Sequence, residues 1–215
     1  MANEIHNYPL EIFTIGDNDY LDVDYFNGVG YDSAKILGLS LKNTLKSGMY
    51  SMIANSSVVG GTTAELDFMD GAYIGSLSVP ANTFQVGDSF RLSVCGYISA
   101  HNNDTLTIRI KSGMTIISAS APITMPSIGF EVFELTCVFT IRAIGGQMAA
   151  SVVTNSEFTW NKAAANTYEG QNWIAVNSSN FDTTIPNTLQ LTAEWSSSHP
   201  SNSIQSMVAN LEKIY

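Results

Sequence analysis

The chain has 215 residues and a mass of 23.2 kDa, with 9 Lys and Arg against 19 Asp and Glu, a formal charge of -10 and a pI near 4.5. So few basic side chains among so many carboxylates attract no polyanion, which argues against a nucleic-acid partner, and no run of about 18 apolar residues offers a membrane span. At 45% hydrophobic residues the chain can fill one core and is not read as disordered, and only 13% are charged; Ser, Thr and Asn supply 61 residues of polar surface in their place.

The first 34 residues carry Glu4, Glu11, Asp17, Asp19, Asp22, Asp24 and Asp32 and no Lys or Arg. This composition predicts a separate acidic N-terminal arm or assembly segment over residues 1–48, and the opening residues lack the basic and apolar regions of a signal peptide. Asp17, Asp19, Asp22 and Asp24 are its candidate interface residues, reaching a basic neighbour. With Asn18 they are also the only dense cluster of hard oxygen ligands, of the kind that suits Ca²⁺. Leu21 occupies the third ligand position of an EF-hand loop and no Gly follows, so no metal site is assigned.

From Met49 onward apolar and polar residues alternate, broken by Gly, Pro and Asn clusters, the pattern of an all-β sandwich. In Ser89–Ser99, Phe90, Leu92, Val94 and Ile98 share one face. Asn102-Asn103-Asp104 then reads as the turn of a hairpin into a strand holding Leu106, Ile108 and Ile110. Phe130–Ile141 puts Phe133, Leu135, Cys137, Phe139 and Ile141 on one side, and Gly145-Gly146 turns the chain into Met148–Trp160. Asn161–Asn172 reads as an Asn-rich loop. Leu189, Leu191, Ala193 and Trp195 alternate in a further strand, and the last runs from about Ser203 to Ile214. Eight to ten strands follow the arm. Cys95 falls on the polar face of its strand and Cys137 on the apolar face of its own, which favours free thiols over a bridge.

No HExxH, CxxC, P-loop or GxSxG motif occurs, and His6, His101 and His199 form no metal-spacing pair; no enzyme, cofactor or metal is assigned. Glu131 and Glu134 do not make a glycosidase pair, because strand parity sends i and i+3 to opposite faces. Trp160, Tyr168 and Trp173, in and around the Asn-rich loop, are the candidate partner or glycan loop. Aromatic rings there would either anchor a subunit interface or stack on sugars.

One segment is familiar. The run Ile74–Leu92, IGSLSVPANTFQVGDSFRL, followed by Gly96 and by Asn103–Ile110, NDTLTIRI, resembles the repeating pattern of jelly-roll domains in virion proteins of large DNA viruses and in phage fibre or head-surface proteins. Leu189–Trp195, the Ser-rich turn Ser196–Ser203 and Ile204–Ile214 are similar to the end of the same domains. The resemblance covers residues 49–215 and implies a single jelly-roll β-sandwich. It implies a homo-oligomer of three or five copies that packs with neighbouring capsid proteins as a vertex (penton) or minor capsid subunit of a virion assembled in the host cytoplasm. The alternative is a receptor- or glycan-binding fibre head. Beside the resemblance, Pro80 and Asn82 close one strand, Val86-Gly87-Asp88 turns into the next, and Gly96 permits a bulge or close packing.

Overall fold

A computed structural model describes residues 20–26, 31–37, 48–162, 167–177 and 180–215, which form sixteen strands and no helix. The chain divides into two units, Met1–Ser47 and Gly48–Tyr215.

In the first unit β1 (Tyr20–Phe26) and β2 (Tyr31–Leu37) pair antiparallel, with Asp22 opposite Lys35 and Asp24 opposite Ser33. The segment expected as an extended arm is thus a hairpin over these residues. Its strands alternate β-favouring Val, Tyr and Ile with polar residues. Asp17 and Asp19 lie outside the described residues.

The second unit begins with β3 (Gly48–Met52), β4 (Val59–Gly60), β5 (Leu66–Asp67), β6 (Tyr73–Gly75) and β7 (Ser78–Val79). The longer β8 (Ser89–Ala100), β9 (Thr105–Ser112), β10 (Thr115–Ala119), β11 (Ile123–Thr124) and β12 (Ile128–Ala143) follow. The chain closes with β13 (Ser151–Lys162), β14 (Thr167–Asn177), β15 (Asn187–Trp195) and β16 (Ser203–Lys213). All pairings are antiparallel. One sheet has the order β14-β13-β12-β8-β16-β3-β6, with β4 also on β16; the other has the order β10-β9-β15-β5, with β11 on β9 and β7 on β15.

The two sheets pack face to face as a β-sandwich. Phe90, Leu92, Val94 and Ile98 of β8 and Phe133, Leu135, Cys137, Phe139 and Ile141 of β12 point inward from one sheet. Leu106, Ile108 and Ile110 of β9 and Leu189, Leu191, Ala193 and Trp195 of β15 meet them from the other. Period-two alternation places these residues on one face of each strand, and apolar burial at about 25 cal/mol per Å² drives the faces together. The Trp195 indole N–H donates to the Val59 carbonyl at 3.2 Å, whereas the indole N–H of Trp160, also in the core, has no partner among the described residues. An apolar cavity of about 30 Å³ between Phe84, Phe90, Phe139, Phe181 and Leu189 has room for no more than a water-sized guest.

Two expectations are corrected. Ser89–Ser99 and Leu106–Ile110 are not a hairpin: β8 pairs with β12 and β16, whereas β9 pairs with β15, β10 and β11. The Asn102-Asn103-Asp104 turn carries the chain from one sheet to the other, so the apolar faces of β8 and β9 look at each other across the core. Asn103 takes the left-handed conformation (φ 67°) that this corner needs, and its N–H donates to the Met125 carbonyl. The stretch read as the loop Asn161–Asn172 is the end of β13 and the first half of β14, with residues 163–166 outside the described set. Cross-strand pairing along all of β13, from Val152–Asn177 to Lys162–Thr167, holds Asn, Gln and Gly in a strand that their intrinsic preference disfavours.

Candidate assembly surface

The outer face of the larger sheet carries a phenylalanine in the left-handed region. β12 bulges between Ile128 and Glu131 where it pairs with β8, and Phe130 sits in the bulge at φ 57°. For a bulky L-residue this conformation costs about 1–2 kcal/mol. It is held by the Phe130 N–H donating to Ser99 Oγ at 2.8 Å and by its ring stacking on Tyr97, with centroids 4.1 Å apart and planes 14° apart. The bulge therefore aims an aromatic ring outward, and Phe130 remains 67% exposed.

Val132 lies opposite Tyr97 on β12. On the other side of β8, β16 bulges between Ser206 and Val208, which brings Val208 opposite Cys95 on the same outer face. Tyr97, Phe130, Val132 and Val208 thus form an apolar patch between two bulges, devices that re-aim side chains locally. Cys95 lies beside it, half-buried, whereas Cys137 faces the core; burial pushes the Cys137 thiol up to about 11 and keeps it an inert thiol.

The edge of this sheet is β14. Among the described residues β13 is its only strand partner. Tyr168, Ile174 and Val176 point outward and are exposed, while Trp173 points inward against the core. The Trp173 indole N–H donates to Ser118 Oγ at 3.0 Å, and Thr154 Oγ1 donates to the same oxygen at 2.8 Å. These bonds tie β14 and β13 to β10 in the facing sheet. Trp173→Phe removes one of them and is expected to cost about 1 kcal/mol of stability, read from the urea midpoint, with self-association unchanged.

The outer face of the smaller sheet is charged. Arg109 of β9 pairs with Glu65 at 3.2 Å and with Glu194 of β15 at 2.6 Å; Lys111 pairs with Glu65 at 2.9 Å, and Thr192 Oγ1 donates to Glu65 at 2.7 Å. Desolvation pushes the Glu65 carboxyl up, but hydrogen bonds from Thr192 and Lys111 and the charges of Arg109 and Lys111 outweigh it and leave it below the usual carboxylate range. A depressed folded value gives stability that is present above the unfolded value, about pH 4.3, and is lost as pH falls through the folded one. Glu65→Gln is therefore expected to lower stability by about 1 kcal/mol at pH 7, with the difference from the parent vanishing once the pH falls below the folded value in paired urea titrations.

At one end of the sandwich the structure brings His101 and His199 together, ring on ring at 4.0 Å. His101 Nδ1 lies 3.4 Å from Asp104 Oδ2, Asn202 Nδ2 donates to that oxygen at 2.8 Å, and the Ser201 N–H donates to His199 Nδ1 at 3.2 Å. The Asn202 bond is the main cause holding the Asp104 carboxyl below its ordinary value. The cluster locks the corner between β8 and β9 to the turn before β16. With His199 Nδ1 accepting a backbone bond and His101 Nδ1 facing a carboxylate, these ring nitrogens are committed locally, and among the described residues no three His, Cys, Asp or Glu side chains converge to hold a metal.

The three aromatic residues expected on one loop do not meet. Trp160 is buried on the inner face of β13, Trp173 is on the inner face of β14, and Tyr168, opposite Asn161, points outward. Strand parity separates Tyr168 from the two tryptophans, so they make no common platform for a sugar ring. Asp22 and Asp24 lie on β1. Glu131 pairs opposite inward-facing Ile98 and Glu134 opposite outward-facing Cys95, on opposite faces of β12. Sequence reasoning took Phe130 for an ordinary strand start and found neither its exposed stack on Tyr97 nor the histidine pair.

Compared with known proteins, the chain matches no family model, no curated protein and no solved structure. The class that the geometry defines is an all-β, antiparallel two-sheet sandwich with an apolar outer patch on its larger sheet.

Proposed function

We propose that this chain is a self-associating structural subunit of a virion shell, a vertex or minor capsid protein built on a single jelly roll. Within Gly48–Tyr215, setting aside the β13–β14 hairpin and the short β4, β6, β7 and β11 and keeping β5, itself two residues long, as the strand paired with β15, eight strands remain. In one sheet they run first, eighth, third, sixth (β3, β16, β8, β12) and in the other second, seventh, fourth, fifth (β5, β15, β9, β10). That is the order produced by two Greek keys, and it supports the jelly-roll reading. β13 and β14 extend the first sheet past its sixth strand. The virion assignment rests on the resemblance of Ile74–Ile110 and Leu189–Ile214.

The observation that carries self-association is the outer patch of Tyr97, Phe130, Val132 and Val208. In the monomer the Tyr97 stack offsets the backbone cost only in part and leaves the Phe130 ring 67% exposed; a subunit interface recovers the remainder by burying the ring. On the same face Gln205 stands opposite Tyr97, and Glu134, opposite Cys95, is the carboxylate that a contact there has to pair. Native mass spectrometry or light scattering across a dilution series tests the reading. A closed trimer or pentamer, or twice that number where a two-fold contact joins two rings, is expected to dissociate on dilution; a monomer at every concentration contradicts it.

A further inference from the structure

Among the described residues, the outer edge of β14 is an unpaired template. The strand is eleven residues long, it ends the larger sheet, and about half of its residues present their N–H and C=O groups to the free edge. Natural edges of this length are blunted by lysine, proline or inward-pointing charge. β14 carries neither of the first two, and its single carboxylate, Glu169, which faces inward, is neutralised by its ion pair with Lys162 of β13.

We infer that β14 pairs antiparallel with β14 of a second copy about a two-fold axis through Asn172, joining two larger sheets edge to edge. The inference rests on the self-association reading and names the surface that one contact uses. Asn172 is the middle residue of Thr167–Asn177, so this centre pairs all eleven residues; moving the axis by one residue leaves an end unpaired. Only a two-fold perpendicular to the sheet brings two free edges together antiparallel, and it keeps paired residues on the same face. With Asn172 on the axis, Tyr168 faces Val176 of the copy, an aromatic against a β-branched chain, a favourable cross-strand pair. Ile174 faces Gly170, a large side chain over a bare backbone position. On the inner face Glu169 meets Ala175, so no carboxylate meets its own image and pairing brings no like-charge penalty.

Tyr168, Ile174 and Val176 are 75%, 73% and 62% exposed. Edge-to-edge pairing leaves them on the outer face, so the backbone edge and the flanks of the side chains are what it covers, below about 1,000 Å² in all, the size of a contact that holds within an assembly rather than alone.

Cysteine cross-linking in the full chain, on a Cys95→Ser background, tests the register. Asn172→Cys is expected to oxidise to a covalent dimer by itself. Tyr168→Cys is expected to cross-link at least tenfold faster when mixed with Val176→Cys than when alone, and Asn172→Lys to abolish the contact. If Asn172→Cys oxidises no faster than Thr136→Cys on the outer face while native mass still reports an oligomer, the β14 pairing is wrong and self-association stands. A monomer throughout overturns both. If Asn172→Cys resists maleimide at every dilution and forms no dimer, another segment of the same chain occupies the edge, and the inference fails.

Discussion

Replacing Gly96 with alanine is expected to lower the stability of the sandwich by about 3 kcal/mol, a shift of about 6–12 °C in melting temperature for a chain of this size. Gly96 lies in the middle of β8, opposite Phe133 on β12 and Ser206 on β16, where β16 bulges. A β-carbon there would run into the Gln205 carbonyl oxygen and come within 2.9 Å of the Ser206 Cα. These are backbone atoms in a strand paired on both sides, so nothing flexible can yield. The bulge and the glycine are one device: the extra residue in β16 brings its backbone over β8 at the point where β8 has no side chain. Urea unfolding of the two proteins checks this, and a loss below about 1 kcal/mol contradicts it.

Replacing Phe130 with glycine is expected to separate stability from assembly. Glycine accepts φ 57° without penalty and recovers the strain, about 1–2 kcal/mol. Against this stand the lost Tyr97 stack, about 0.5–1.5 kcal/mol, and the larger entropy of glycine in the unfolded chain. The net change in folding stability is therefore close to zero. Self-association loses its aromatic anchor, worth about 2 kcal/mol, and weakens roughly 30-fold. Phe130→Ala is the informative companion: it loses the ring and keeps most of the strain, so it is expected to be less stable than Phe130→Gly by about 1 kcal/mol. Equal stability of the two variants would mean that the backbone at this position is not under strain.

Both effects arise from features that the sequence reveals unevenly. Alternation along β8, β12, β15 and β16 marks the inward faces because each of these strands buries one side and wets the other, and Gly96 stands out as the bare position in the clearest of them. Strand partners are less visible. The apolar stripes of β8 and β9 fit a hairpin as well as two strands facing each other across a core, and only the competition of β12 and β16 for the edges of β8 decides between them. β14 is hidden for a different reason. Gly170, Gln171 and Asn172 are poor strand formers, and the pairing with β13 overrides their local preference. The β1–β2 hairpin lies where negative charge dominated the reading, although the Asn27-Gly28 dipeptide in the sequence is a hairpin signal.

The assembly patch is the least visible part. Phenylalanine is among the residues least suited to a left-handed backbone, so nothing in Gly129-Phe130-Glu131 announces a positive φ; the conformation follows from the bulge against β8. His101 and His199 come together only when the two sheets close, since the turns that carry them lie far apart in the chain. Trp160 and Trp173 attract attention by residue type, yet parity turns both inward.

Hydroxyl-radical footprinting of the full chain at low and high protein concentration tests the central claim most directly, because it reads the side chains of the outer patch. The account predicts that oxidation of Phe130, Tyr97, Val132 and Val208 falls several-fold as concentration rises, while exposed Met114, on the turn between β9 and β10, continues to react at the same rate. Equal oxidation of Phe130 at both concentrations, in a sample whose native mass has risen, would place the interface elsewhere and contradict the account.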